Sequence, residues 1–515
     1  MSKTAHTEIE LRLHTDYSDH DLRKLIGKKL RLKKFTYEIV RQSLDARKKP
    51  NVYWLVRVRV FSGELKGAPY PGEPQIKIPY LRRNRKAIVL GSGPAGFFAA
   101  FVLQKAGFDV ELFEKGTEVA TRYRDIMRFE HGNEFKGHSN YCHGEGGAGT
   151  FSDGKLTSRT KGIAPEKKFV FETYVSAGAP EEILYLARPH IGSDKLRTVI
   201  PNLREQFLQI GGTIRFNTEI TGLEISHGKC TAVTTPQGTY SCDLLMVAPG
   251  HSSYETYRML YRNGVGFRTK PFAIGVRVEH PQELINLSQW LNPKLPGVKA
   301  AEYKLTYTAS NGLPVYSFCM CPGGQVVPSA PSPHQNIVNG VSDYARNSPW
   351  ANAAIVAGMD LSRHLGHEPS FEESLGWMEN LEKSIYHLHE NYDIPGLRIN
   401  DFLNGRISNS IPPNSYPFQV FPYDFENLLP VGIITALKEG LRDFSKKIHG
   451  FETGLMMGLE SKTSSPVQVL RDEYRRCVGF ENLFIVGEGS GYAGGITSSA
   501  VDGVKAAMDI AASSV

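Results

Sequence analysis

Short apolar runs alternating with amphipathic stretches occupy both ends of the chain, and a long middle segment shows neither pattern. Near the start the alternation predicts a strand over Glu8 to Leu13 and a helix over Asp19 to Leu30. Two more strands follow, around Phe35 to Gln42 and Tyr53 to Phe61, with the charged turn Asp45 to Asn51 between them. This βαββ order predicts a small ferredoxin-like α+β module. Gly63 to Pro79, with four prolines and three glycines, reads as a linker. A buried strand at Ala87–Leu90, a helix over Phe97 to Lys105 and a strand at Val110 to Phe113 come next. Helical spacing returns from Asp194 to Ile210, and Thr213 to Glu219 reads as a strand. Two further β segments end in the buried run Asp243 to Gly250. From 266 to 440 the strand–helix alternation is lost and Pro, Asn and aromatic residues accumulate, which marks an inserted, β-rich α+β domain. Asn482 to Val486 is again a buried strand, and Ile496 to Ala512 reads as a helix. The organisation expected is an N-terminal module (1–80), an α/β domain in two parts (81–265 and 446–515) and an insertion (266–445).

The first α/β strand gives this pattern a chemical meaning. It runs into Gly91-Ser92-Gly93-Pro94-Ala95-Gly96, and a helix starts directly after. In that context Gly-x-Gly-x-x-Gly is a dinucleotide fingerprint. Gly91 allows the turn, Gly93 lets backbone N–H groups approach a diphosphate, and Gly96 lets helix and strand pack closely. The diphosphate is drawn to the unpaired N–H groups and positive dipole end of the helix. Glu114, eighteen residues beyond Gly96, ends the second strand and is placed to bind an adenosine ribose; Lys115 follows it.

Composition narrows the setting. At 515 residues, with 41% hydrophobic and 22% charged residues, the chain is expected to fold as more than one domain. No apolar run is long enough to span a bilayer or to serve for export, so a cytosolic protein without membrane contact is expected. Six cysteines in so long a chain are expected to be reduced thiols. The net charge of +7 is uneven, since residues 1–90 hold 21 Lys+Arg against 9 Asp+Glu. That basic start leaves open a nucleic-acid-docking arm, although the module lacks the aromatic strand string of an RNA-recognition sheet. The other reading, a module that covers the α/β domain or mediates homo-oligomer assembly, is the one expected. Every nucleotide-binding segment lies beyond Ala87, so residues 81–515 are expected to fold without the module.

A second glycine-rich device lies almost 400 residues away, where Gly487-Glu488-Gly489 leads through Gly494 and Gly495 to the helix beginning at Ile496-Thr497. A ligand as long as FAD employs both ends. Glu488 is then placed for the ribityl hydroxyls, and the Ile496-Thr497 helix end faces the N1–C2=O edge of the flavin. Gly144 to Gly149 also fits Gly-x-Gly-x-x-Gly but lacks a preceding strand. Gly147 and Gly149, with Thr150, Ser152, Asp153, Gly154 and Lys155 after them, bring backbone close to a bound ligand or else form a surface loop.

The first fingerprint, the Ala248-Pro249-Gly250 turn and the terminal Gly-Glu-Gly resemble the FAD domain of glutathione-reductase-type flavoproteins. Within that group, Gly144 to Lys155, Cys319-Met-Cys-Pro-Gly-Gly324, Gly487 to Thr497 and Ser43 to Lys49 resemble the bacterial "uncharacterised FAD-dependent dehydrogenase" family. The resemblance spans nearly the whole chain and implies a flavoprotein with an N-terminal accessory module and an inserted substrate domain, and it implies no substrate; the reading expected is an FAD-dependent oxidoreductase acting on a small organic molecule. It also implies that the chain near Ile220 passes the adenine. Glu488 departs from the Asp usual in the terminal motif, and Pro249 removes a backbone N–H from the middle one. No second strand–glycine–helix unit serves a nicotinamide nucleotide, so NADH or NADPH is expected only as a transient donor.

Cys319 and Cys321 are the sharpest catalytic candidates. In an extended strand residues i and i+2 point to one side, so both thiols face the flavin, or each other, or they simply fill a buried strand. No second Cys/His pair accompanies them, so no metal site is expected. Arg277, Glu279 and His280 either line a substrate cleft or lie on a solvated sheet face. His143 flanks the glycine loop.

Overall fold

In a computed structural model, which describes residues 4–513, the α/β part is built on a five-stranded parallel sheet. Its order is Leu483–Ile485, Leu244–Val247, Lys86–Leu90, Asp109–Phe113 and Thr213–Arg215, so the fingerprint strand is central. The helices Pro94–Lys105 and Ile496–Ala512 pack on one face of it and on each other. Their contact is close because Gly503 faces the Ala95 backbone, where a Cβ would lie 2.1 Å from the carbonyl oxygen. Thr213 to Glu219, expected as one strand, pairs only over Thr213–Arg215. The chain then turns away, and Ile220 precedes a separate three-stranded antiparallel sheet, Gly222–Ser226, Lys229–Thr235 and Gly238–Ser241.

The middle of the chain forms a seven-stranded mixed sheet: Thr306–Thr308, Pro314–Cys321, Trp350–Met359, Phe272–Pro281, Leu455–Glu460, Ile394–Arg398 and Val420–Pro422. Helix Val431–Lys447 covers it with Ile433, Leu437, Leu441 and Phe444 in the largest core cluster. Leu455–Glu460 corrects the expected boundary at 445. It hydrogen-bonds between Phe272–Pro281 and Ile394–Arg398, so the chain returns to the nucleotide-binding sheet only with Leu483–Ile485. The solvated-face reading of Arg277, Glu279 and His280 is also corrected. All three are buried, because their strand is internal to the sheet and covered on both faces.

The N-terminal segment forms strand His6–Leu13, helix Asp19–Leu30 and strands Thr36–Asp45 and Tyr53–Phe61, with the last strand between the other two and antiparallel to both. Ser18 caps the helix in a reciprocal box with Asp21, and Leu22 and Ile26 close its core against Val56, Val58 and Val60. Some of its basic residues are engaged within the segment: Arg59 is held by Glu8 at 2.7 Å and Glu73 at 2.9 Å, and Arg57 pairs with Glu10. The edge strand docks on the body through Gln42, whose N–H donates to the Tyr185 carbonyl (2.9 Å) while its own carbonyl accepts from Ala187 (2.8 Å). Leu44, Ala46 and Val52 pack onto the largest core. Among the described residues no helix is long and apolar enough to cross a membrane.

Candidate functional site

Strand Lys86–Leu90 ends at Gly91, whose φ of +92° reverses the chain and whose Cα lies so near Ala248 that a Cβ would approach its carbonyl to 2.3 Å. Helix Pro94–Lys105 starts two residues on with Gly93 as its N-cap, and no side chain caps it. Helix Ile496–Ala512 starts in the same way from Gly495, again without a side-chain cap. Both uncapped N-termini open into one cavity of about 850 Å³ between the parallel sheet and the seven-stranded sheet. The free N–H groups of two helices, with their dipoles aligned, therefore favour negative charge at two places in one chamber.

A Cβ on Gly93 would touch only Gly147, at 3.7 Å, and one on Gly494 or Gly495 would meet nothing within 4 Å. The space beside these glycines is not filled by protein. Gly96 is different, because a Cβ there would lie 1.9 Å from the Gly91 carbonyl oxygen, so this glycine serves helix–strand packing. Gly487 and Gly489 likewise serve packing, against Ala95 and Pro249.

Glu114 lies at the cavity wall and is pinned: Oε2 accepts from the Ser92 backbone (3.0 Å) and hydroxyl (2.7 Å), and Oε1 from Gly116 N–H (2.8 Å). Ser92 thus orients the acid and does not itself line the cavity. Lys115, Ile220, Ala248 and Gly250 line the same end, where burial pulls the Lys115 ammonium below its usual range. Glu488 lines the other side and pairs with His251 Nδ1 at 3.2 Å. His251 Nε2 and His143 Nε2 are buried without a hydrogen-bond partner among the described residues, and both side chains border the cavity.

Gly147, Gly149, Ser152, Asp153, Gly154 and Lys155 line the cavity too. The loop that carries them is a short 3-10 turn, Gly147–Phe151, so it is neither a second fingerprint nor a surface loop. Thr150 is buried behind it and donates to the Glu145 carbonyl (3.0 Å), while Thr497 donates to Leu156 (2.9 Å). The loop is held by a residue that the sequence did not single out. Arg122, fully buried on helix Val119–Gly132, donates to the carbonyls of Asn140, Glu145 and Gly147 at 2.8 Å and of Tyr141 at 3.0 Å.

Beyond the loop, Lys155 lies 3.2 Å from Asp153, which Arg346 also grips at 2.8 Å. Burial works against the Lys155 charge, but Asp153 more than offsets it and holds the ammonium protonated above its usual range. Cys319 and Met320 reach the cavity from the seven-stranded sheet; Cys321 is buried just behind, with its sulfur 3.8 Å from Lys155 Nζ. The regular-strand picture of this pair is corrected. The register slips between Phe318 and Cys321, and Cys319 has a φ of +43°. Two further residues here were not picked out from sequence. Glu460 borders the cavity 3.3 Å from Arg277, and its burial raises the carboxyl to about 7. The Tyr303 hydroxyl is buried at the same wall without a partner among the described residues.

Fold and site together define a Rossmann-like α/β protein built around an extended, anion-favouring nucleotide cavity. Matches to known proteins agree. The family description "FAD-dependent protein, C-terminal domain-like" covers residues 271–463, "NAD(P)-binding Rossmann-like domain" covers 89–149, and a domain of unknown function, DUF8436, covers 5–61. A protein of Clostridium beijerinckii described as "Uncharacterized protein" is 37% identical over 512 residues, 95% of each chain. The chain belongs to this family of FAD-dependent proteins. Among solved structures it resembles CtdE in complex with FAD, at 11% identity over 83% of this chain and 84% of that one, with a TM-score of 0.35. It also resembles a geranylgeranyl bacteriochlorophyll reductase-like protein from Thermoplasma acidophilum, at 12% identity over 83% and 78%, with a TM-score of 0.35.

Proposed function

We propose that this protein is an FAD-dependent oxidoreductase of the glutathione-reductase type that passes a hydride or electron pair between the flavin and a small organic substrate. The observation that carries the reading is the pair of glycine-capped helix N-termini opening on one cavity that also holds a cluster of chemically active side chains. The residues fit the cofactor: unfilled space lies beside Gly93, Gly494 and Gly495, and two buried imidazole nitrogens at the wall lack partners among the described residues. Bound FAD supplies an isoalloxazine ring whose N5 gives or takes the hydride.

Gly91, Gly93, Pro94 and Ala95 would hold the diphosphate, and Glu114 with Lys115 the adenosine ribose. The backbone N–H groups after Gly495 would face the ring edge that gains negative charge on reduction, and Glu488, oriented by His251, the ribityl chain. The substrate would occupy the arm between Lys155, Tyr303, Cys319 and Glu460. There Tyr303 Oη is a donor already desolvated, and Glu460 exchanges a proton near neutral pH. Among the described residues a strand leads through Gly-x-Gly-x-x-Gly into a helix only at Gly91–Gly96, so NADH or NADPH would dock transiently in the same arm.

Anaerobic mixing of the FAD-loaded protein with NADH or NADPH tests the electron source. Bleaching of the flavin absorbance by one of the two within seconds is the expected result. A flavin that stays oxidised with both would remove the nicotinamide-linked reading.

A further inference from the structure

Charge is unevenly spread along the cavity wall. At the end where the fingerprint would hold a nucleotide, Glu114, Glu219 and Glu488 face only Lys115 and Lys462, so acids outnumber cations. A diphosphate there is matched by the free N–H groups of helix Pro94–Lys105 and needs no cationic side chain. In the arm assigned to the substrate the balance reverses. Lys155, Arg159, Arg188, Lys304 and Arg346 line it, against Asp153, Glu302 and Glu460. Each of these acids is already engaged. Asp153 is shared by Lys155 at 3.2 Å and Arg346 at 2.8 Å, and Glu302 by Arg188 at 2.5 Å and Arg346 at 4.0 Å. Glu460 faces Arg277 at 3.3 Å, behind the wall. Counting Arg277, six cations meet three acids, an excess of three positive charges with every acid ionised. Arg159 and Lys304 are exposed and form no ion pair among the described residues.

Backbone pairing gathers these cations from distant parts of the chain. Leu156 N–H donates to the Pro189 carbonyl (2.9 Å) and Ile191 N–H to the Gly154 carbonyl (3.1 Å), with Lys155 opposite His190. That pairing sets Arg188 beside Thr157, two residues before Arg159. Glu302, held by Arg188, brings the following Tyr303 and Lys304 to the same arm. Depth is graded as well. Arg159, Arg188 and Lys304 are exposed at the mouth, Lys155 is half-buried, and Tyr303 is buried with its hydroxyl unpartnered among the described residues. An apolar face runs along the cations, since Phe318, 38% exposed, and the half-buried Tyr316 line the same arm. Solvation accounts for a cation at the mouth, but not for a desolvated hydroxyl that waits for a partner at the inner end.

We infer that the substrate is an organic acid with an apolar body, its carboxylate or phosphate held at the mouth by Arg159 and Lys304 and its body directed inward along Phe318 toward Tyr303. This names a substrate class for the proposed oxidoreductase and rests on that reading for the role of the arm. Arg159 supplies a planar fork of donors that matches a carboxylate or phosphate, and Lys304 a point charge beside it. Neither cation has to give up a protein partner to bind the acid. The apolar face covers the body of the molecule, and the Tyr303 hydroxyl gains the acceptor it lacks.

Calorimetric titration of the FAD-loaded protein tests this, with trans-cinnamate against trans-cinnamamide and phenyl phosphate against phenol as probes. At least one acid should bind about tenfold or more tightly than its neutral partner, as charge-assisted hydrogen bonds replace neutral ones. The acid with the larger margin tells carboxylate from phosphate. The margin should shrink in about 0.3 M salt, because both cations are exposed. Arg159→Gln combined with Lys304→Gln should abolish it. Lys24→Gln with Lys28→Gln removes equal charge from helix Asp19–Leu30 and should keep it. Three results overturn the inference: acids that bind no better than their neutral partners, a margin that survives loss of both mouth cations, or ADP-ribose binding more tightly than either acid, which would give the cations to the nicotinamide donor. If the double variant fails to fold, the wild-type margin and its salt dependence still decide. Flavin absorbance of the same samples reports separately on the proposed cofactor, since calorimetry needs no flavin signal.

Discussion

Gly93→Val is expected to leave the protein folded and to strip it of FAD. The position has φ −64° and ψ 176°, an extended conformation open to a β-branched residue. Its Cβ would touch only Gly147, at 3.7 Å, an ordinary contact, and the residue lines the cavity. There it occupies the space in front of the helix N–H groups where a diphosphate must sit. A loss of about a hundredfold or more in FAD affinity, near 3 kcal/mol, is expected by calorimetric titration, with an unchanged melting temperature for the cofactor-free protein. Gly96→Ala is the contrast, since its Cβ would lie 1.9 Å from the Gly91 carbonyl. That variant should lose stability by roughly 1–3 kcal/mol or more before any question of binding arises.

Arg122→Met should act on the same site from the opposite side. The arginine is fully buried, and its guanidinium holds four backbone carbonyls of the segment Asn140 to Gly147. Methionine fills much of the volume but donates nothing, so those carbonyls lose their partner in a dry interior. Each unsatisfied buried acceptor costs roughly 1–3 kcal/mol, and partial relaxation leaves an expected loss of about 3 kcal/mol or more. Thermal unfolding of a chain of this size should fall by roughly 3 °C or more. FAD retention should fall with it, because Gly147 packs against Gly93 at the edge of the space assigned to the diphosphate. An unchanged melting temperature with full FAD occupancy would mean that the loop holds itself.

What the sequence showed and what it hid divide along local and non-local lines. The helices Asp19–Leu30 and Ile496–Ala512 and the strand Tyr53–Phe61 have the bounds expected from periodicity, because capping, glycine turns and alternation are local signals. Glu114 was legible because its distance from Gly96 is set by one strand–helix–strand unit. Arg122, His251, Tyr303 and Glu460 were not, since each reaches the cavity from an element whose sequence gives no sign of facing it. The boundary drawn at 445 missed Leu455–Glu460 for a similar reason: a short apolar strand reads the same whichever neighbours it pairs with. The bulge at Cys319 was hidden because it depends on the register of Trp350–Met359, about thirty residues away.

The most direct test of the account is diffraction from crystals grown with FAD. It predicts density for the diphosphate at the helix N-terminus beside Gly93 and Pro94, the adenosine beside Glu114, and the ring edge at the first turn after Gly495, with Cys319 bordering the ring's chamber. Density for FAD outside this cavity, or a ring lying away from both Gly495 and Cys319, would contradict it.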